Sequence, residues 1–220
     1  MGSGVANMTE MFLQMWEYTT KDRFLDRARY MPTIVRSGDG YVQPFYDSPL
    51  DDRNVGETVF MHIINRAQRY VYITTPYLIL DNEMITTLTV AAQSGIDVRI
   101  ITPGIPDKKL VYRVTRSYYQ QLHRAGVKIY EYRPGFLHAI MIVSDDDVAV
   151  VGTMNMDFRS FFLHFECGTV LYGGETISEI RDDVLDTMGL SRQIDDEWFR
   201  SVPWLASIAA SILRLFAPML

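Results

Sequence analysis

The stretch from Phe136 to Glu166 holds several chemically capable side chains at the spacing that one chemistry would use. The imidazole of His138 can attack phosphorus or protonate a leaving oxygen, and it needs an oxygen acceptor on its second nitrogen to fix the tautomer. Glu166 lies in an apolar run and needs a partner, because an unpaired buried carboxylate is costly. These residue types predict phosphoryl transfer, which needs no metal when it passes through a covalent phosphohistidine.

The turn Gly152-Thr153-x-Asn155 offers a closely approaching backbone, a hydroxyl and an amide, all usable as hydrogen-bond donors to an anion. Residues i and i+2 of a strand point to the same face, so a cation at position 140 would stand beside His138. That position holds Ile140, which can neither hydrogen-bond to a phosphate nor neutralise it. Loss of one transition-state donor typically lowers a rate by about 10²–10³.

Taken singly, each of these features also has an ordinary structural explanation. A lone histidine in an apolar strand can be a packed, hydrogen-bonded core residue. Tyr77, directly after a predicted strand, can line a pocket at the carboxyl end of the sheet or simply pack. Arg116, on a predicted helix, can contact a headgroup or belong to a solvated helix face. The functional prediction therefore depends on the combination of residues.

The elements that must position these side chains alternate between helices and strands up to residue 132. The periodicity predicts helices at 8–18, 56–67 and 82–93, and a longer helix that Asp107 caps and Gly126 closes. It predicts strands at 70–75, 97–102 and 127–132. Their connections are too long for hairpins, which implies right-handed crossovers.

The second part of the chain is predicted to add strands to the same sheet. The strands expected there are 138–144, 148–151 and 163–172, with a tight turn at 145–147 and a covering helix at 175–187. The predicted fold class is α/β, with a mixed, mostly parallel sheet covered by helices on both faces.

We divide the chain into three segments. Residues 1–52 form an N-terminal helix and an irregular approach segment with a short extended piece at 41–45, and residues 53–200 form the α/β domain. Residues 201–220 form an apolar helix. It either lies in a bilayer interface, with Trp204 and Arg214 at headgroup level, or docks on the core of the domain.

Composition limits the function classes. An apolar content of 48% is typical of a globular protein, and a net charge of −6 gives no global field that would hold a polyanion, so no nucleic acid partner is predicted. The lone Cys167 excludes an intramolecular disulfide. No basic start followed by an apolar run opens the chain, and we expect no secretory signal.

The spacing His138-x-Ile140-x4-Asp145-x6-Gly152-Thr153-x-Asn155 resembles the phospholipase D superfamily signature H-x-K-x4-D-x6-G-[ST]-x-N, with position 140 as the one departure. The flanking segments are similar to the C-terminal half of bacterial cardiolipin synthases. The clearest of these segments are Tyr72-Ile-Thr-Thr-Pro-Tyr77, Asp97-Val-Arg-Ile-Ile-Thr-Pro103, Thr115-Arg-Ser-Tyr-Tyr119 and Asn155-Met-Asp-Phe-Arg-Ser160.

This resemblance implies a phospholipase D-like fold and transfer of a phosphatidyl group between two phosphatidylglycerol molecules through a phosphohistidine, without a cofactor. It implies attachment to the cytoplasmic membrane, peripheral for this part of the protein. His138 would be the nucleophile or the general acid and base, and Asp145 would hold the structural corner of the motif. The implied catalytic residues are His138, Asp145, Asn155 and Glu166, and the implied substrate-binding residues are Gly152, Thr153, Tyr77 and Arg116.

Members of the family carry the signature twice, in two halves that meet at one active site. These 220 residues carry one copy, so we expect a second half-domain or a homodimer partner to complete the site. Two alternatives remain open. One is a noncatalytic membrane-surface module that keeps the fold, and the other is a homodimeric phosphodiesterase or nuclease, which the acidic composition disfavours.

Overall fold

The computed structural model describes residues 4–22, 26–33, 38–50, 52–203 and 212–215. The helices in this part of the chain are α1 (Gly4–Thr20), α2 (Val55–Arg66), α3 (Asn82–Gln93), α4 (Lys109–Arg124), α5 (Phe158–Phe162), α6 (Glu175–Gly189) and α7 (Asp196–Ser201). The strands are β1 (Tyr41–Asp47), β2 (Tyr70–Thr74), β3 (Leu78–Ile79), β4 (Asp97–Pro103), β5 (Lys128–Tyr132), β6 (Met141–Ser144), β7 (Val148–Gly152), β8 (Met156–Asp157), β9 (Glu166–Tyr172) and β10 (Ser191–Ile194).

Eight of the described strands form one mixed sheet in the order β1-β9-β7-β6-β2-β4-β5-β10, and β3 pairs with β8 in a small separate sheet. The two helical crossovers β2-α3-β4 and β4-α4-β5 give parallel pairs. β6 pairs antiparallel with β2 and so joins the strands of the first part of the domain to the hairpin of the second.

The predicted mixed α/β architecture is confirmed, but the prediction of a mostly parallel sheet is wrong. The pairs β1–β9, β9–β7, β7–β6, β6–β2 and β5–β10 are antiparallel. The tight turn between β6 and β7, where Asp145 and Asp146 have φ angles of 58° and 61°, accounts for one of these pairs, and β9 then returns beside β7. In the other pairs, the two described strands are not joined to each other by the kind of helical crossover that makes β2–β4 and β4–β5 parallel.

Helices cover both faces of the sheet, as predicted. On one face α2, α3 and α4 pack against a core that includes Val71 and Ile73 of β2. On the other face α6 contributes Ile177 and Val184, which belong to a second core with the Tyr72 ring. β2 is buried on both faces, which explains why its residues read as a continuous apolar and β-branched run.

Several predicted boundaries change in the structure. β6 begins at Met141, whose amide donates to the Thr74 hydroxyl at 3.1 Å, so His138 lies in the loop before the strand. Asp107 does not cap α4; its carboxylate accepts from the Lys108 amide and from the Tyr77 hydroxyl. The predicted extended piece at 41–45 is part of β1, which pairs with β9.

Much of the predicted C-terminal helix, including Trp204, lies outside the described residues. Arg214 is described; its guanidinium donates to the Gln121 side chain at 2.8 Å and lies 4.0 Å from the centre of the Tyr118 ring, both on α4. Within the described ranges, no helix has the length and apolar character to cross a membrane.

The stability of the fold should depend on the protonation of Glu57 in the first turn of α2. This side chain is 6% exposed, and burial, reinforced by the neighbouring carboxyls of Asp81 and Glu83, raises the pKa of Glu57 to about 8. The folded state therefore keeps a proton that the unfolded state releases between pH 4.5 and about 8. Stability must fall as the pH rises through this window.

We expect Glu57→Gln to raise the melting temperature by a few degrees at pH 8.5 and to change it little at pH 5, as measured by thermal unfolding at both pH values. Glu179→Gln is the control, because Glu179 is exposed on α6 and does not contribute to the pKa shift of Glu57. If the melting temperatures of wild type and Glu57→Gln differ by the same amount at pH 5 and at pH 8.5, this assignment is wrong.

Candidate active site

One edge of the main sheet gathers most of the predicted site residues. The register places the ends of β2, β4 and β7 beside the starts of β6 and β9. We call this region the site edge. It comprises the loop residues that follow the ends of β2, β4 and β7, at Thr74, Pro103 and Gly152. It also comprises the loop residues that precede β6 and β9, together with Glu166, the first residue of β9. The Met156 amide donates to the Thr75 hydroxyl at 3.0 Å and ties the segment after β7 to the end of β2.

His138 lies at the site edge in an exposed position before β6. Its ring is 5.8 Å from the centre of the Phe136 ring, and Phe136 lies 6.4 Å from the Tyr77 ring. The three rings therefore follow one another along the loop. An exposed imidazole in this position is accessible to a substrate that approaches the sheet from this edge.

The turn after β7 is held by main-chain contacts that require a glycine. A β-carbon at Gly152 would lie 2.5 Å from the carbonyl oxygen of Cys167, so a larger residue would force the two strands apart. Thr153 donates its amide to the Cys167 carbonyl at 2.9 Å and accepts the Cys167 amide on its hydroxyl oxygen at 3.1 Å. The Thr153 hydroxyl in turn donates to Glu166.

Glu166 contributes a carboxylate to the site edge, and its side chain is only 8% exposed. Burial raises the pKa of Glu166, while hydrogen bonds from Thr153 and Ser160 and the charge of His164 oppose the shift. The imidazole Nδ1 of His164 lies 3.6 Å from the Glu166 carboxylate. Within the described residues, no hydrogen bond or ion pair joins Glu166 to His138.

His164 is therefore a site-edge residue to which the sequence reasoning assigned no role. The signal that could have found it is its spacing: it precedes Glu166 by two residues at the start of a strand, where alternate residues share a face.

Asn155 presents an amide to the same region. Its Nδ2 donates to the Ser160 hydroxyl at 3.1 Å, and its buried Oδ1 has no hydrogen-bond partner among the described residues. With the amide turned by 180°, the NH2 group would take this unpaired position and keep protons for a ligand, while the oxygen would face the Ser160 hydroxyl. Asn155 can thus offer a donor to an anion.

A cleft of about 160 Å³ lies at the site edge. Its lining residues include Tyr77, Lys108, Asn155, Asp157, Arg159 and His164. The Tyr77 hydroxyl donates to Asp107 at 2.5 Å, and burial together with this carboxylate raises the pKa of Tyr77 well above its usual range. Burial also raises the pKa of Asp157, whose carboxylate accepts the Ser160 amide at 2.7 Å and caps α5.

Two predicted site residues lie elsewhere. Asp145 is at the opposite edge of the sheet, where its carboxylate accepts the main-chain amides of Gln68, Arg69 and Tyr70 at 2.6, 2.9 and 2.9 Å. It also lines a separate pocket of about 380 Å³. This geometry fits the structural corner of the motif and gives Asp145 no contact with the site edge.

Arg116 is held in an ion pair. Its guanidinium donates two hydrogen bonds to the buried carboxylate of Glu131, at 2.7 and 2.8 Å, and lies 5.3 Å from the Trp198 ring. It does not line the cleft. Contact with a headgroup would require Arg116 to leave a bidentate pair, and the buried Glu131 would then lose its counter-ion.

Comparisons with known proteins identify similar sequences. Residues 60–187 match the family described as cardiolipin synthase, PLD-like domain. An uncharacterized protein of Streptococcus mutans is 45% identical over the whole chain, which covers 48% of that protein. Cardiolipin synthases of Geobacillus kaustophilus and Geobacillus thermodenitrificans are 41% and 40% identical, and the chain covers 44% of each. The chain thus spans less than half the length of these relatives.

Solved structures share the fold at low sequence identity. The phospholipase D family member Nuc from Salmonella typhimurium has a TM-score of 0.62 and 14% identity, covering 72% of this chain and 100% of Nuc. Phosphatidylserine synthase of Haemophilus influenzae also has a TM-score of 0.62, with 16% identity, covering 81% of this chain and 47% of the synthase. At this identity, the likeness concerns the fold alone.

The geometry of Asp145 predicts a role in stability. We expect Asp145→Asn to lower the free energy of unfolding by about 1.5–3 kcal/mol, because the neutral amide leaves at least one of the three main-chain donors without an acceptor. Asparagine tolerates the positive φ of this turn, so the backbone conformation itself is not penalised. Chemical denaturation measures the loss.

Asp147→Asn is the matched control, since it removes the same charge from an exposed position of the same turn. Equal stability of the two variants would show that the carboxylate of Asp145 does not hold the start of β2.

Proposed function

Because the chain belongs to the phospholipase D-like domain family of cardiolipin synthases, we propose that it supplies one half of the active site of a phosphatidyltransferase. The reaction joins two phosphatidylglycerol molecules into cardiolipin and releases glycerol. The observation that carries the proposal is the arrangement at the site edge, where His138 precedes β6 while Thr153 and Asn155 follow the adjacent strand β7.

The reaction proceeds in two displacements at phosphorus. An imidazole nitrogen attacks the phosphodiester of the first lipid, the bond from phosphorus to the glycerol oxygen breaks, and the leaving glycerol takes up a proton. A hydroxyl of the second lipid then attacks the phosphohistidine, the phosphorus–nitrogen bond breaks, and the hydroxyl proton passes to a base. His138 is the nucleophile or the acid and base, and an imidazole from a second half fills the other role.

The neighbouring side chains have supporting roles in this proposal. Asn155, with its amide turned toward the cleft, donates to a nonbridging oxygen of the phosphate. Glu166 holds the Thr153 hydroxyl and stands beside His164, so it fixes the polar wall of the site. The exposed position of His138 fits a site that a second half-domain or a second copy of the chain closes.

We further propose that this part of the protein contacts a membrane surface through α1. Its residues Met8, Phe12 and Trp16 recur every four positions and are 46%, 60% and 46% exposed, so they form an apolar stripe on the outer side of the helix. The last turn of α1 lies near the site edge. The centre of the Tyr18 ring is 5.4 Å from that of Phe165, which stands between His164 and Glu166 in the sequence.

The charges of α1 are compatible with this contact. Arg27 forms ion pairs with Glu10 and Glu17, the two acidic residues of the helix, and so offsets one of their two negative charges. Aromatic side chains such as that of Trp16 prefer the interfacial region of a bilayer. The stripe would bring the site edge to the depth at which a phospholipid headgroup lies.

We expect the chain joined to an N-terminal half-domain that carries a second signature to form cardiolipin from phosphatidylglycerol vesicles, and His138→Asn to lower the rate at least about 10³-fold because it removes a reacting imidazole. Lipid extraction and mass spectrometry measure the product. His123→Asn is the control, because His123 pairs with Asp196 away from the cleft.

Absence of cardiolipin from both the natural protein and Ile140→Lys would refute the proposal. Hydrolysis of a small phosphodiester by the purified 220-residue chain, without cardiolipin formation, would instead favour the phosphodiesterase alternative.

Replacement of the stripe tests membrane contact. We expect the double variant Phe12→Ser, Trp16→Ser to sediment about tenfold less with phosphatidylglycerol vesicles, because its apolar insertion is lost. The double variant Val90→Ser, Leu190→Ser removes two other exposed apolar side chains and should bind like the natural chain. Equal sedimentation of the two double variants would rule out α1 as the membrane contact.

A further inference from the structure

The site edge lacks a cation where the superfamily signature has one. Ile140 is 7% exposed and adds an apolar side chain beside β6, so this strand brings no positive charge to a bound phosphate. A phosphodiester keeps one negative charge throughout the reaction, and binding it in a partly dry cleft without a counter-charge is costly. Another residue of the cleft must therefore compensate for position 140.

We propose that Lys108 supplies this charge and holds the phosphate of the lipid in the cleft, with His164 and Asn155 as hydrogen-bonding neighbours. The inference rests on the proposed function, since it names the residue that binds the phosphodiester of that substrate. Lys108, His164 and Asn155 all line the same cleft.

The backbone around Lys108 is fixed in a way that leaves its ammonium group available. The Lys108 amide donates to one oxygen of Asp107, and the Tyr77 hydroxyl donates to the other, each at 2.5 Å. This carboxylate is therefore occupied by groups other than the ammonium. Among the described residues, no carboxylate forms an ion pair with Lys108.

The ammonium of Lys108 lies 5.6 Å from the centre of the Tyr77 ring, within the range of a cation–π contact. The aromatic face orients the side chain along the wall of the cleft without neutralising its charge. Lys108 is also the N-cap residue of α4, where no side chain caps the helix, so the positive end of the helix dipole adds to the field of the ammonium.

The acidic residues near the cleft compete weakly for this cation. Asp157 caps α5 through the Ser160 amide, and burial raises its pKa. Glu166 accepts the Thr153 hydroxyl and faces His164, and burial raises its pKa as well. Both carboxylates already accept hydrogen bonds from Ser160 or Thr153. The ammonium group of Lys108 is therefore available to an incoming phosphate.

The position of Lys108 also predicts which kinetic constants its removal should change. A lysine that replaces the cation of position 140 contacts the phosphate of the bound lipid, which already carries one negative charge, and that of the transition state, where the nonbridging oxygens gain charge. Its removal should therefore raise KM and also lower kcat.

Binding of the deacylated headgroup tests the inference directly. We expect Lys108→Met to weaken binding of glycerophosphoglycerol to the 220-residue chain about tenfold in calorimetric titration, and Lys109→Met to change it less than about twofold. Lys109 is the matched control, because it is the adjacent exposed lysine and does not line the cleft. Circular dichroism verifies that both variants fold.

The competing cation is Arg159, which also lines the cleft. The inference is overturned if Arg159→Met abolishes binding while Lys108→Met does not, or if Lys108→Met and Lys109→Met have equal effects. Titration with inorganic phosphate separates the two sources of the anion: dependence on Lys108 with inorganic phosphate but not with glycerophosphoglycerol would assign the residue to a free-phosphate site and overturn its role toward the lipid.

The failure of this inference and the failure of the proposed function have different signatures. Cardiolipin formation by the chain joined to an N-terminal half-domain, with KM unaffected by Lys108→Met, would refute the role of Lys108 alone. Headgroup binding that depends on Lys108, without any cardiolipin formed, would refute the transferase while the phosphate site stands.

Discussion

The main-chain approach between Gly152 and the Cys167 carbonyl is the constraint on which the site edge depends. It permits β7 and β9 to remain paired to the last residue of β7, because no β-carbon stands between them. Thr153 then donates its amide to the Cys167 carbonyl and accepts the Cys167 amide on its hydroxyl oxygen. The same hydroxyl donates to Glu166. Thr153 and Glu166 are thus held in place by the pairing of β7 with β9.

The sequence was a good guide to elements and a poorer one to their pairing. The period of apolar residues located α3 at its observed bounds and β2 to within one residue, since burial on both faces leaves a clear pattern. Strand direction is a different matter. Whether two strands run parallel depends on the length and turn chemistry of what joins them and on which distant strand they meet, and the antiparallel additions of β1 and β10 at the sheet edges carry no local signal.

The candidate site was predictable where spacing along one strand or turn defined it. The turn from Gly152 to Asn155 is an example, since its chemistry is local. The role proposed for Lys108 depends on a tertiary contact, because this residue reaches the cleft from the loop before α4. His164 faces Glu166 at a spacing of two residues, which is a local signal. Arg116 shows the converse, because only the structure reveals that the buried Glu131 already holds it.

The ladder between β2 and β6 has a consequence for the way the protein folds. It joins residues about 70 positions apart, and the pairs β1–β9 and β5–β10 also connect distant parts of the chain. Contacts of such large sequence separation are entropically costly, because the intervening loop loses conformational freedom when it closes. The cleft draws Tyr77 and Lys108 from one side of the β2–β6 ladder and Asn155 and His164 from the other. The cleft therefore exists only in chains that have formed this long-range ladder, and intact secondary structure alone does not produce it.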